Sequence, residues 1–234
     1  MTDQVAINYL HAFLDRHPVQ KFNKGEIIIF QGEAPRTALV VKSGTVKAYN
    51  LSVDGDEKPV AFYSADSVFP ASWVFAKMAS AIYYYEAFTS TVEVYAIDRA
   101  EFVDFIKKRP ELLYQELERL LTDQIAGSMR LNALQHSRAS DKLIYTLHYL
   151  ALSHGREIVV GKIPKIIEIT LDLKHQDFAN LTGLTRETAA TELNKLKRAK
   201  IINYGKGISY TLNMARLTQV LNDQFVADIE LKSP

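Results

Sequence analysis

The sequence contains no cysteine. Disulfides, thiolate zinc sites and cysteine-held iron–sulfur clusters are therefore excluded within the chain. No apolar run approaches the ~18 residues that a membrane-spanning helix needs. The start of the chain lacks the basic segment and apolar stretch of an export signal. Both absences predict a cytoplasmic protein with no membrane partner. Catalytic patterns are missing too: there is no Ser-His-Asp signature, no Walker loop and no G-x-G-x-x-G. The six histidines form no H-E-x-x-H or close-paired metal motif, although one histidine is enough to hold a haem. No catalytic residue, metal site or cofactor is predicted, and the chain does not read as an enzyme.

Net charge is also scarce, at +1 over 234 residues, but the balance is uneven. Residues 1–137 carry 14 Lys or Arg against 17 Asp or Glu, and residues 138–234 carry 14 against 10, giving −3 and +4. Two domains with different partners would produce that split. The hydrophobic fraction of 47% supports packed cores.

The basic excess is concentrated between Asp172 and Leu212. Ala179 and Gly183 bracket a short helix and a tight turn. Ala179 is small enough for a second helix to cross closely, and Gly183 can take the positive φ of the turn. Thr185 is a good N-cap and Glu187 suits the first turn of the helix that follows, from about Arg186 to about Ala199. In that helix Ala189, Leu193 and Leu196 share one face. Glu187, Thr191, Asn194, Lys195 and Arg198 fall on the opposite arc, with Arg186 at the tip. Ile201–Tyr204 and Ile208–Leu212 read as strands joined at Gly205-Lys206-Gly207. An apolar-backed helix with a basic front, followed by a hairpin, suits a DNA major groove. The candidate DNA contacts are Thr185, Arg186, Glu187, Thr188, Thr191, Lys195, Arg198 and Lys206. A merely solvated basic face is the plainer alternative.

Toward the N-terminus, Val5 to Leu14 predicts an amphipathic helix ending near His17-Pro18. Short strands follow at 26–30, 39–42, 45–51 and 60–63, with two more between Tyr83 and Ile97. Turns are signalled at Gln31-Gly32-Glu33, Ser43-Gly44 and Asp54-Gly55. This regular spacing predicts an antiparallel sandwich or barrel. Trp73, Phe75, Tyr83, Tyr84 and Tyr85 either line a pocket or belong to the core of that sandwich. Tyr83 and Tyr85 would face one side of a strand and Tyr84 the other.

Pro110 then opens a long helix. Leu113, Leu117, Leu120, Gln124, Gly127, Leu131 and Leu134 repeat with a/d spacing over about three heptads, which predicts a two-helix dimer seam. The alternative is a helix lying on its own sandwich through Leu112, Leu121 and Ile125. Ser137–Asp141 reads as a hinge, with Asp141 capping a helix to about Leu152. Residues 153–169 read as a loop with short strands. Ala215, Leu217, Val220, Leu221 and Phe225 suggest a closing helix.

Thr-Gly-Leu-Thr-Arg-Glu-Thr at 182–188, followed by Glu-Leu-Asn-Lys-Leu at 192–196, resembles the helix-turn-helix signature of the Crp/Fnr family of bacterial transcription regulators. Lys24-Gly25-Glu26 to Gln31-Gly32-Glu33 and Val40–Val46 around Ser43-Gly44 resemble the β-roll of cyclic-nucleotide-binding domains. The resemblance covers nearly the whole chain. It implies that Arg186 and Glu187 are base readers and that Thr191 replaces the family's third reader. It also implies departures in the nucleotide cassette. The family's G-E and R-[ST] pairs are missing from 65–73 and around Ile82-Tyr83, and Gly127-Ser128 stands where cyclic-AMP-binding members carry Thr-Ser. Cyclic AMP is therefore not expected to bind. Trp73, Tyr83, Tyr85 and Ser128 are the candidate lining for an unidentified small-molecule effector.

The combined reading is an α+β chain. Residues 1–108 form a cyclic-nucleotide-binding-like β-roll (jelly roll) sensor, 109–137 a dimerisation helix and 138–234 a winged helix-turn-helix. The expected function is a homodimeric, sequence-specific DNA-binding regulator, an activator reading a palindrome, with RNA polymerase as a further partner. The rival is a ligand-binding or protein-interaction module with a vestigial winged domain.

Overall fold

The computed structural model describes residues 3–76, 78–160, 163–205 and 208–221. The chain divides into two compact units, Met1–Glu118 and Arg119–Pro234.

The first unit begins with α1 (Asp3–Leu14), then β1 (Val19–Asn23), β2 (Ile27–Ile29), β3 (Ala38–Ser43), β4 (Val46–Leu51), β5 (Glu57–Tyr63), β6 (Val68–Phe69), α2 (Ala71–Val74), β7 (Tyr84–Ala87), β8 (Thr91–Ile97) and α3 (Arg99–Lys107). Two antiparallel four-stranded sheets result, ordered β1-β8-β3-β6 and β2-β7-β4-β5. Period-2 alternation decides what each strand buries. Val46 and Ala48 of β4 join the packed interior with Tyr85 and Ala87 of β7 and Val92 and Val94 of β8. Lys47 and Tyr49 take the other face. A second cluster is built by Leu10, Phe13 and Leu14 of α1 against Phe102, Phe105 and Ile106 of α3, with the Phe13 and Phe105 rings stacked at 3.8 Å. Gly44, with φ +82, lies so near the Thr91 carbonyl oxygen that a Cβ there would collide with backbone.

The sandwich agrees with the strand reading, and four elements were not foreseen: β1, β6, α2 and α3. β1 is mostly exposed and polar, and β6 has two residues, so neither carries a clear hydrophobic period. α3 did leave a signal, since Asp98 caps it by accepting from the Glu101 N–H at 3.0 Å.

The helix α4 (Pro110–Gln135) runs for 26 residues across the division between the units. The second unit continues with α5 (Ala139–His154), β9 (Gly155–Val160), β10 (Ile163–Ile169), α6 (His175–Thr182), α7 (Arg186–Arg198), β11 (Ile202–Gly205), β12 (Ile208–Asn213) and α8 (Met214–Val220). Its sheet is ordered β11-β12-β10-β9. The stretch read as a loop with short strands at 153–169 is mostly strand, with β9 and β10 paired antiparallel in that sheet. Residues 143–151 of α5 are all buried, so α5 is the axis of the unit. Asp141 is not its cap. Arg138 occupies that position with no side-chain bond, and Asp141 sits in the first turn, accepting from the Ser140 hydroxyl at 3.1 Å. Of the apolar set read for the closing helix, Leu217 of α8 and Leu221 just beyond it are buried, Ala215 and Val220 are exposed, and Phe225 lies outside the described residues.

Candidate nucleic-acid interface and sensor interior

The turn between α6 and α7 forms as its residues dictate. Gly183 adopts φ +68, and Ala179 is buried. The Thr185 hydroxyl accepts from the Thr188 N–H at 3.2 Å and lies 2.9 Å from the Thr188 hydroxyl. These two threonines thus fix the start of α7. Ala189, Leu193 and Leu196 are buried, and Arg186, Glu187, Thr191, Lys195 and Arg198 are exposed. Lys195 is held by Glu192 at 2.6 Å. Lys206 lies outside the described residues.

Sequence reasoning missed how the wing is attached. Tyr204 of β11 donates to Asn194 Oδ1 at 3.0 Å, and its carbonyl accepts from the Lys197 ammonium, which also lies 4.6 Å from the Tyr204 ring centroid. Tyr204 stacks on Tyr210 at 4.6 Å, and Tyr210 packs on Phe178 of α6 at 4.9 Å. Asn194 and Lys197 therefore brace the hairpin. A groove of about 610 Å³ opens between the start of α6, Arg186 and the wing, with Lys174, His175, Tyr204 and Ser209 among its walls. Burial, together with the positive charge of Arg186, holds the His175 imidazole below its ordinary range.

Along α4 the a/d residues stand in the open. Leu113 is 48% exposed, Leu117 50%, Leu120 39%, Leu131 65% and Leu134 39%, with Gln124 also exposed. Leu121 and Ile125, the candidates for packing on the sandwich, are exposed as well, and only Leu112 of that trio is buried. A different face of the same helix buries Ala126, Met129 and Ala133. Arg130, beside them, reaches the Leu181 carbonyl at 3.5 Å and lies 5.9 Å from the Tyr149 ring centroid.

In the first unit Tyr85 is 1% exposed and packs with Phe69 at 5.5 Å and Tyr63 at 5.9 Å. Tyr83 lies against the same cluster, and Tyr84 stacks with Tyr49 at 5.4 Å, so the three tyrosines divide between faces as their alternation requires. Trp73 is not with them. It belongs to the helical cluster, where Arg99 lies 5.3 Å from its ring centroid. The Ser128 hydroxyl donates within its own helix to the Gln124 carbonyl at 2.9 Å. Lys47 is the buried cation among the described residues here. It pairs with Glu57 at 2.5 Å and Glu86 at 3.2 Å. Lys77, the one Lys or Arg between Asp66 and Glu93 in the sequence, lies outside the described residues. Among the described residues no cluster of His, Asp or Glu suits a metal ion, and no helix is long and apolar enough to cross a membrane.

Comparison with known proteins matches this architecture. The family model described as the cyclic nucleotide-binding domain matches residues 19–109, and that of the Crp-like helix-turn-helix domain matches residues 141–220. The global nitrogen regulator of Synechococcus elongatus is 29% identical over 208 residues, 86% of this chain and 88% of that protein. The fumarate and nitrate reduction regulatory protein of Vibrio cholerae is 25% identical over 209 residues, 88% of this chain and 78% of that one. Among solved structures, a CooA mutant from Carboxydothermus hydrogenoformans superposes with a TM-score of 0.68 at 20% identity, covering 89% of each chain.

Proposed function

We propose, from the premise that this chain belongs to the Crp/Fnr family of sequence-specific DNA-binding transcription regulators, that it works as a homodimer seamed along α4 and reads a palindromic site with α7. The family comprises regulators and not enzymes. The observation that carries the dimer is the stripe of leucines on α4. Five of them recur with heptad spacing, and each is at least 39% exposed. A helix of one copy laid against the same stripe of another would cover them by knobs-into-holes packing. Two half-sites about one helical turn apart then receive two copies of α7. In this reading Arg186 donates to guanine and Glu187 accepts from cytosine, and Lys195 and Arg198 approach phosphates. Thr185 and Thr188 act by setting the helix start.

We assign activation as the sign of regulation, RNA polymerase as a further partner and the cytoplasm as the location. Residues 1–108 act as sensor, 109–137 as dimer helix and 138–234 as DNA-binding domain. The sensor is assigned no cofactor and no cyclic AMP. An effector, if it has one, would be a small molecule that the interior aromatics admit.

The test is Leu117→Asp, which places a charge in the seam. It is expected to sediment as a folded monomer and to lose specific binding to a palindromic duplex. A variant that sediments as a dimer would refute the assignment of α4.

A further inference from the structure

We infer that the groove between α6 and the wing is the seat of one DNA backbone phosphate, gripped by Lys174 and His175 beside Arg186, and that His175 draws a proton from solvent as the phosphate arrives. This rests on the DNA-binding reading above and adds contacts that reading does not contain.

The groove is built from four segments: the residues leading into α6, the first turn of α6, the tip of α7 and the wing strands. Lys174 and Arg186 contribute two positive charges to its lining, and Asp172 one negative. The wall is therefore +1 with His175 neutral and +2 with it protonated. A phosphate diester carries −1, and charge-assisted bonds from N–H donors are the strong ones. The remaining polar lining includes Ser209 and the two wing tyrosines.

The groups around His175 can be named element by element. On its own side are Lys174 and Asp177, the latter engaged by the Lys174 backbone N–H at 2.6 Å. Asp172 precedes them, Arg186 faces from α7, and Tyr204 and Tyr210 face from the wing. The Tyr204 ring meets the imidazole edge-on at 5.6 Å. Tyr204 is itself braced by Asn194 and Lys197, so the imidazole rests on a fixed wall.

In the free protein the proton on His175 is disfavoured by burial and then by Arg186. A phosphate in the groove reverses the second effect. It neutralises the field of Arg186 and accepts from the imidazolium. The protonated fraction of His175 is then larger in the complex than in the free protein at any given pH. By linkage, binding takes up protons, and affinity falls as pH rises through the value at which the bound imidazolium titrates.

The experiment uses the full-length chain and a palindromic duplex recovered by in vitro selection with it. Affinity is measured between about pH 6 and about pH 8, and proton uptake by calorimetry in two buffers of different ionisation enthalpy. Wild type should bind roughly threefold to tenfold more tightly at the acid end, with net proton uptake. His175→Gln should lose both and should bind selected and random duplexes more weakly to the same degree. At the acid end its salt slope should be smaller by about one. His175→Lys, permanently charged, should bind at the alkaline end as wild type does at the acid end. Arg186→Ala should instead relax base preference and, because it removes one of the two effects that disfavour the proton in the free protein, should reduce the proton uptake without abolishing it. If His175→Gln keeps the pH dependence and uptake of wild type, the phosphate seat is overturned while the DNA reading stands. If wild type selects no duplex at any pH, both are overturned.

Discussion

His148 on α5 is buried, and neither ring nitrogen has a hydrogen-bond partner among the described residues. Burial disfavours its charged form and pushes it from 6.5 down to about 4. His154 is moved in the same direction, to about 4. The sign follows from proton counting. Below 6.5 the unfolded chain binds a proton that the folded unit refuses until about 4. Stability is therefore full above 6.5 and is lost as pH falls toward 4, at most roughly 3 kcal/mol from His148 alone. We expect the thermal midpoint of the second unit to drop on acidification through that window. His148→Leu should remove its share of the drop, leaving that of His154, and cost little at neutral pH, since no hydrogen bond among the described residues is removed. A variant as acid-sensitive as wild type would contradict this. Sequence showed less at this scale than elsewhere. The outward set on α7 was legible because helical period separates it from Ala189, Leu193 and Leu196. The role of Lys197 was not, because seven residues and a change of element separate it from the tyrosine carbonyl that it meets. His175 was equally hidden, since only the folded wing makes a wall beside it.

α7 starts where it does because Thr185 ends the turn and supplies an acceptor to the Thr188 N–H. Thr185→Ala should cost the winged unit about 1 kcal/mol, the usual value of a lost N-cap. Thr185→Asp should restore stability, because a carboxylate caps well and suits the helix dipole, but should weaken DNA binding by adding negative charge beside phosphate. Thermal melts and duplex titrations on the two variants separate the contributions, and equal melting of wild type and Thr185→Ala would rule out the cap. Strong local grammar of this kind explains which elements could be read in advance. Gly183, Thr185 and the apolar back of α7 are local signals, and they placed α7 to within a residue, whereas α6 begins four residues before Ala179. The hairpin of β9 and β10 has no such grammar. Among the described residues β9 pairs only with β10, while β10 also pairs with β12, and a partner so distant in the chain leaves little trace in β10.

For the whole molecule, the sandwich interior tests the absent nucleotide. An anionic cyclic phosphate needs a buried cation or donors. The buried lysine of the described residues is already shared by Glu57 and Glu86, on the face of β4 opposite Val46 and Ala48. Tyr63, Phe69 and Tyr85 pack together in the interior. We expect no saturable heat when cyclic AMP is titrated into the protein, and micromolar binding would refute this, with Lys77→Ala identifying the cation responsible. The charge division between the halves of the chain was legible in composition alone, because it needs no geometry. The uncovered leucines of α4 bear on something else, the supply of the regulator in a cell. If a second copy is what covers them, the species that grips a palindrome accumulates, below the dissociation constant, as the square of the chain's concentration. Doubling synthesis would then roughly quadruple the number of competent readers, so the rate at which this gene is translated would itself act as a steep dial on its targets, with or without a ligand.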